Sequence, residues 1–319
     1  MKPYYDDDLV TLYHGDALAV AQTLPDQSVQ TIVTSPPYFG LRDYGAEGQM
    51  GAEESVAEYV VGMVGLFHEL RRVLADDGTL WLNLGDSYGG NGTLGRNDAG
   101  RNFTGGGGNK AGSGNPGAQG KRSAVGAAKN LLGIPWRAAL ALQSDGWILR
   151  SDIIWAKPNP MPESVEDRPT KAHEYVFLLS KSARYFYDAK AIEEIAVKGA
   201  AGSGFTDGKT AGAKIGPVGQ GPRAEDDGKR NARTVWTIAS QPFAGAHFAT
   251  MPPALAERCI LAGSAIGDEV IDPFLGSGTT GMVAERNGRR WFGVELQPDY
   301  EPIIRQRTAQ VGLFGMVAP

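Results

Sequence analysis

The sequence predicts an α/β fold, a mainly parallel sheet with helices on both faces, interrupted by Gly-rich insertions. Three observations predict it. Apolar runs of strand length alternate with stretches of helical apolar spacing, as a parallel sheet with crossover helices requires. A Rossmann-like glycine turn lies late in the chain, with 38 residues after Gly281, so most of the sheet must precede it and the chain order is rearranged. Two segments break the alternation: residues 89–129, in which 14 of 41 residues are Gly, and residues 198–233.

The elements follow in order. Asp8–Tyr13 reads as a short strand ending at Gly15-Asp16, and Val29–Thr34 as a β-branched strand ending at Ser35-Pro36-Pro37-Tyr38. Apolar residues at Val56, Val60, Val64, Phe67, Leu70 and Leu74 predict a helix over Glu53–Leu74 that stops at Asp77-Gly78, before a strand over Thr79–Leu84. A helix over Pro135–Ser144 and strands over Trp147–Ala156 and Glu174–Leu179 come next. The chain then runs through a helix (Pro253–Leu261), a strand (Glu269–Ile271), the glycine turn, a helix (Thr279–Asn287) and a strand (Arg290–Val294).

Composition narrows the class. With 319 residues and 42% apolar content the chain can bury a large core. No apolar run is long enough for a membrane span, and the N-terminus lacks the apolar core of a secretory signal. The one cysteine, Cys259, makes neither an internal disulfide nor a cysteine zinc site, so a reducing cytoplasm is expected and no metal is. Net charge is −5, but it is unevenly spread. Residues 89–129 hold six basic residues, Arg122 among them, and one acid; residues 198–233 hold seven, Lys229 and Arg230 among them, and four acids. An acidic body with basic loops suits a protein that touches phosphates through those loops, although soluble linkers would share the same composition.

Two motifs carry chemistry. Asp272-Pro273-Phe274-Leu275-Gly276-Ser277-Gly278-Thr279 is a strand end running into a glycine turn and a helix. Glycines let backbone approach a ligand, and the helix start offers free N–H groups. Glu295, at the end of the next strand, can accept ribose hydroxyls. Gly276, Gly278 and Gly281 also satisfy a dinucleotide fingerprint, but that fold needs several more strands after its turn than follow here. The second motif is Thr34-Ser35-Pro36-Pro37-Tyr38. Ser35 Oγ and the Pro36 carbonyl can accept hydrogen bonds from one amino group, and Tyr38 offers an aromatic face. That makes a pocket for a planar ring bearing an amine.

With these motifs in this order, the sequence resembles the beta-arranged amino-DNA methyltransferases, which modify cytosine N4 or adenine N6. The resemblance covers roughly residues 8–88, 130–188 and 246–300. It implies the circularly permuted Rossmann-like class I methyltransferase fold and S-adenosyl-L-methionine as cofactor, with S-adenosyl-L-homocysteine as product. It also implies double-stranded DNA as partner, with the target base flipped out. Asp16 looks like the acid that receives the cofactor adenine. Trp155 and Lys157 fall in a segment resembling the one beside the target base, and His247-Phe248 in one resembling the stretch over the methionine part. Thr34, Asp272, Pro273, Phe274, Gly276, Ser277, Gly278, Thr279 and Glu295 complete the expected cofactor site. In this family serine at the first motif position leans toward cytosine N4, so Ser35 favours that target, with adenine N6 as the alternative. The expected layout is a catalytic domain over 1–88, 130–188 and 246–319, a Gly-rich insertion over 89–129, and a target-recognition region over 189–245. An RNA or protein-amide substrate and an inactive DNA-binding homologue are the competing readings. A restriction endonuclease partner and a homodimer are compatible with the resemblance without being specified by it.

Overall fold

A computed structural model describes residues 2–41, 48–90, 126–195, 228–241 and 251–314, with the side chains of 309–314 excepted. Arg122, His247 and Phe248 lie outside the described residues, as does most of the 89–129 insertion.

Among the described residues the core is a nine-stranded sheet in the order β1-β2-β11-β10-β3-β4-β6-β5-β9. The strands are β1 (Tyr5–Asp6), β2 (Val10–His14), β3 (Val29–Thr34), β4 (Leu74–Leu84), β5 (Ile148–Ala156), β6 (His173–Ser180), β9 (Val235–Thr237), β10 (Glu269–Asp272) and β11 (Arg290–Glu295). β2, β11, β10, β3 and β4 pair in parallel, as do β5 and β9; β6 runs antiparallel between β4 and β5, and β1 antiparallel to β2. A separate two-residue ribbon joins β7 (Glu194–Ile195) to β8 (Lys229–Arg230).

Alternation along the central strands sends neighbouring side chains to opposite faces. Ile32, Leu80, Leu82 and Ile271 enter one core with helices α1 (Ala17–Ala21), α2 (Val56–Val73) and α3 (Ile134–Ser144). Val33, Trp81 and Val270 enter the other with α4 (Pro253–Gly263), α5 (Thr279–Arg286) and α6 (Glu301–Phe314). Both faces are covered, as the strand–helix alternation predicts. The single thiol, Cys259, is buried on α4, and desolvation pushes it well above its ordinary range.

Local chemistry sets the helix ends. Ser55 and Glu58 form a reciprocal capping box at the start of α2, and Tyr59, Met63, Leu66, Leu70 and Val73 give it a continuous buried stripe. The expected stop at Asp77-Gly78 is displaced. α2 already ends at Val73, and Leu74 pairs with Val29 before a bulge brings Thr79 opposite Thr31. Described parts of residues 189–245, the expected target-recognition region, also join the main sheet and its core. Within them Ile192 packs in the core, and Val235–Thr237 extends the sheet beside β5 with Trp236 only 2% exposed. No described helix is long and apolar enough to cross a membrane.

Candidate active site

Parallel strands bring their C-terminal ends to one edge of the sheet, and ligands in such sheets meet there. β10 and β3 are neighbours in parallel register, Val270 opposite Thr31 and Ile271 opposite Ile32. The glycine turn after β10 and the Ser-Pro-Pro-Tyr turn after β3 are therefore side by side. A cavity of about 360 Å³ opens between them, and both Ser35 and Gly276 line it.

The glycine turn is held from three sides. Gly276 and Gly278 take φ of +53° and +82°, left-handed conformations that favour glycine. Asp272 is buried, and its Oδ1 accepts from Thr34 Oγ1 (2.7 Å) and Phe274 N (3.0 Å), its Oδ2 from Thr280 Oγ1 (2.7 Å). Burial still pushes this carboxyl above the usual carboxylate range. From α6, Arg307 Nη1 donates to Ser277 O (3.0 Å), Ser277 Oγ (2.7 Å) and Thr279 Oγ1 (3.1 Å).

Two carboxylates face the cavity from adjacent strand ends. β2 and β11 pair with His14 opposite Glu295, and Gly15 N donates to Glu295 O (3.0 Å). Glu295 Oε2 accepts from Gly276 N (2.7 Å) and Oε1 from Gln297 N (2.8 Å), while burial raises its pKa. Asp16 caps α1 through Ala19 N (2.9 Å) and lines the same cavity. Each carboxylate oxygen has two acceptor directions, so these backbone bonds leave acceptor capacity on both groups. Among the described lining residues there are four carboxylates, Asp16, Glu53, Asp272 and Glu295, and no Lys, Arg or His. Acceptors for hydroxyls and an amine beside an open glycine turn, with acidic walls, fit a ligand built from a nucleoside and a sulfonium cation.

The second turn is equally well braced. Pro37 O accepts from Tyr59 Oη (3.0 Å), and no hydrogen bond within the described residues occupies Pro36 O. Ser35 and Pro37 belong to the cavity wall. The Tyr38 ring packs on Gly85, where an added Cβ would lie 2.5 Å from Tyr38 Cε2. Its hydroxyl reaches Glu174 Oε2 (2.6 Å) and Asn83 Oδ1 (3.2 Å), with Ser35 Oγ at 3.4 Å. Burial and the neighbouring Glu174 push this phenol well above its ordinary range, so it stays protonated.

Other expected site residues are placed differently. Thr34 is fully buried and reaches the cofactor turn only through Asp272. Trp155, expected beside the target base, is 3% exposed and donates to Ile238 O (2.8 Å); a ring packed this deep serves the core. The Lys157 ammonium lies 4.2 Å from the centre of the Trp155 ring and pairs with Glu174. On the β7–β8 ribbon Lys229 lies 4.0 Å from Glu193 and Arg230 3.7 Å from Glu194, an acid shared with Arg233 and Arg258. Asp86 accepts from Ser87 N (2.8 Å) and Ile134 N (3.0 Å), securing the start of α3.

Sequence reasoning missed Glu174, Asn83, Lys171 and Arg307. Lys171 donates to Asp86 O (2.6 Å), and burial lowers its pKa. Glu174 heads the apolar run Tyr175–Leu179, but nothing in the sequence links it to Tyr38, and Arg307 carries no signal either.

A family model described as DNA methylase matches residues 29–306. The chain is 45% identical over 311 residues to the Type II methyltransferase M.Cfr9I of Citrobacter freundii, covering 93% of this chain and 87% of that protein. It is 44% identical over 293 residues to the Type II methyltransferase M.SmaI of Serratia marcescens, covering 92% and 88%. Among solved structures, the PvuII DNA methyltransferase, named as cytosine-N4-specific, matches with a TM-score of 0.63 at 20% identity over 98% of this chain and 93% of that one. An M1.HpyAVI–S-adenosylmethionine complex matches with a TM-score of 0.53 at 17% identity over 94% and 98%. At those identities the structural likeness is one of fold. The full-length relatives and the shared cavity agree: this chain belongs to the DNA methylase family of N6 and N4 methyltransferases and is an amino-DNA methyltransferase.

Proposed function

We propose that this protein transfers a methyl group from S-adenosylmethionine to the exocyclic N4 of cytosine in double-stranded DNA. The observation that carries the proposal is the common cavity of Ser35 and Gly276. Asp16 and Glu295 hold the adenosine part of the cofactor, and the turn from Asp272 to Thr279 cradles the rest. Bound there, the cofactor supplies an electrophilic methyl on a positively charged sulfur.

The base amine is a weak nucleophile because its lone pair is conjugated with the ring. Ser35 Oγ and Pro36 O, as two acceptors for its hydrogens, favour a pyramidal nitrogen with a free lone pair. They also stabilise the positive charge that develops on nitrogen, until the methylated amine gives up one proton to solvent. Holding base and cofactor on two turns of one sheet edge makes the step effectively unimolecular, which accounts for much of the acceleration. A stacked base cannot enter the cavity, so the target leaves the duplex, with Tyr38 backing the pocket.

Nucleoside analysis by mass spectrometry of DNA treated with the protein and cofactor tests this. 4-Methylcytosine is the expected product. 6-Methyladenine would overturn the target, and unmodified DNA the whole proposal.

Residues 189–245 carry sequence readout, with 89–129 helping to clamp the backbone; their basic balance supports this. Exchanging 198–227 for the matching segment of a relative with another recognition site should move the methylated sequence. An unchanged site would refute the assignment. A cognate restriction endonuclease, suggested by the Type II names of the relatives, should fail to cut DNA carrying this methylation.

A further inference from the structure

The hydroxyl of Tyr38 sits between Glu174 and Ser35, and it has one proton to give. Two acceptors compete for it, Glu174 Oε2 at 2.6 Å and Asn83 Oδ1 at 3.2 Å. The carboxylate is nearer, accepts only, and has the Lys157 ammonium as countercharge. Charge-assisted bonds of that length are the stronger ones. The Asn83 amide, held by Nδ2 donating to Tyr175 O (3.0 Å) and Glu174 Oε2 (3.3 Å), keeps its Oδ1 toward Tyr38 only as the longer, uncharged acceptor. The Tyr38 proton therefore points at Glu174. What remains on Tyr38 Oη is acceptor capacity, and the Ser35 hydroxyl donates into it across 3.4 Å.

That direction matters for Ser35. A hydroxyl whose proton turns toward Tyr38 presents lone pairs elsewhere, and Ser35 lines the cavity. We propose that Glu174 is a positioning residue: by taking the Tyr38 proton it turns Ser35 Oγ into an acceptor for the amino group of the target base. Lys157 and Asn83 hold Glu174 in place for this. The inference rests on the methyl-transfer reading of the Ser35–Tyr38 turn given above.

Glu174→Gln tests it without changing the size of the side chain. Lys157 can only donate, so the amide oxygen stays on Lys157 and the NH₂ group faces Tyr38. The chain of bonds then reverses: Tyr38 accepts from residue 174, and its proton turns toward Ser35 or Asn83. The expected result is a kcat about ten- to a hundredfold lower, in the range for one charge-assisted hydrogen bond. KM for cofactor and for DNA should change less than about threefold, because the contact acts on the reacting group and not on binding. Tyr38→Phe, which keeps the ring and the Lys157–Glu174 pair, should lose a similar factor. Adding Glu174→Gln to Tyr38→Phe should cost less than about twofold more, since the two act through one chain.

The inference is overturned if Glu174→Gln costs the same factor in both backgrounds, or if its effect is on KM alone. Should the glutamine variant fail to fold, full kcat in Tyr38→Phe would overturn it equally. Wild-type protein that methylates no DNA would instead refute the underlying methyl-transfer reading. An active wild type with additive variants would refute only the role of Glu174.

Discussion

Thr34 and Asp272, 238 positions apart in the chain, are joined by a hydrogen bond of 2.7 Å at the shared edge of β3 and β10. One ends the strand that presents the base-side turn; the other ends the strand that presents the cofactor-side turn. Thr34→Val removes the donor with little change in shape and leaves a buried carboxylate with fewer partners. Stability should fall by about 1–3 kcal/mol. Urea unfolding measures it, and a variant as stable as wild type would show that the bond is not needed to join the two turns.

Gly85 is where Tyr38 has room to lie. A methyl group there meets the ring at 2.5 Å, closer than carbon atoms pack. Gly85→Ala should displace Tyr38 and lower kcat by at least about tenfold, with cofactor affinity close to wild type. Steady-state kinetics with cofactor-binding calorimetry separates the two. Equal loss in both would mean that the whole edge of the sheet has moved.

Arg307 braces the cofactor turn from behind, through Ser277 and Thr279. Arg307→Met keeps a long side chain but none of its donors. The Kd for S-adenosylmethionine should rise about five- to fiftyfold, as expected for losing charged hydrogen bonds to a turn that must keep its shape. Fluorescence or calorimetric titration reports it; unchanged affinity would mean that the glycine turn holds its form without the brace.

Glu269, at the start of β10, titrates unusually. Burial pushes its carboxyl from an ordinary value of 4.5 up to about 7, although Arg290 lies 3.3 Å away and opposes the shift. In the unfolded chain the group ionises near 4.5, so between these values the folded state binds the proton more tightly. Its stabilising contribution is full below pH 4.5 and is lost as pH rises through 7. Glu269→Gln removes this dependence. Relative to wild type, the variant should gain stability from pH 4.5 to 7.5, by a total on the order of 3 kcal/mol. Chemical unfolding at a series of pH values checks this, and a pH-independent difference would contradict it.

Much of this architecture is legible in the sequence because it is local. Val29–Thr34 is a strand by its β-branched residues, and the glycine turn, Asp16 and Glu295 sit at strand ends that pattern alone locates. β9 escapes because three residues in a polar stretch show no period, and only pairing with β5 makes them a strand. α6 escapes because its apolar stripe is thin, with Ile304 its one fully buried residue among those whose side chains are described. Glu174 and Arg307 escape for another reason: their roles come from Tyr38, 136 positions away, and from a turn about 30 positions away. A contact made only by tertiary folding leaves no spacing to read.

The seclusion of Cys259 has a practical side. A maleimide dye finds no accessible thiol on the folded protein, so the native chain should remain unlabelled. Val61→Cys, at a site 71% exposed on α2, would then carry the sole fluorophore. Dye-labelled protein of that kind could follow DNA docking in real time, with no need to strip native thiols first.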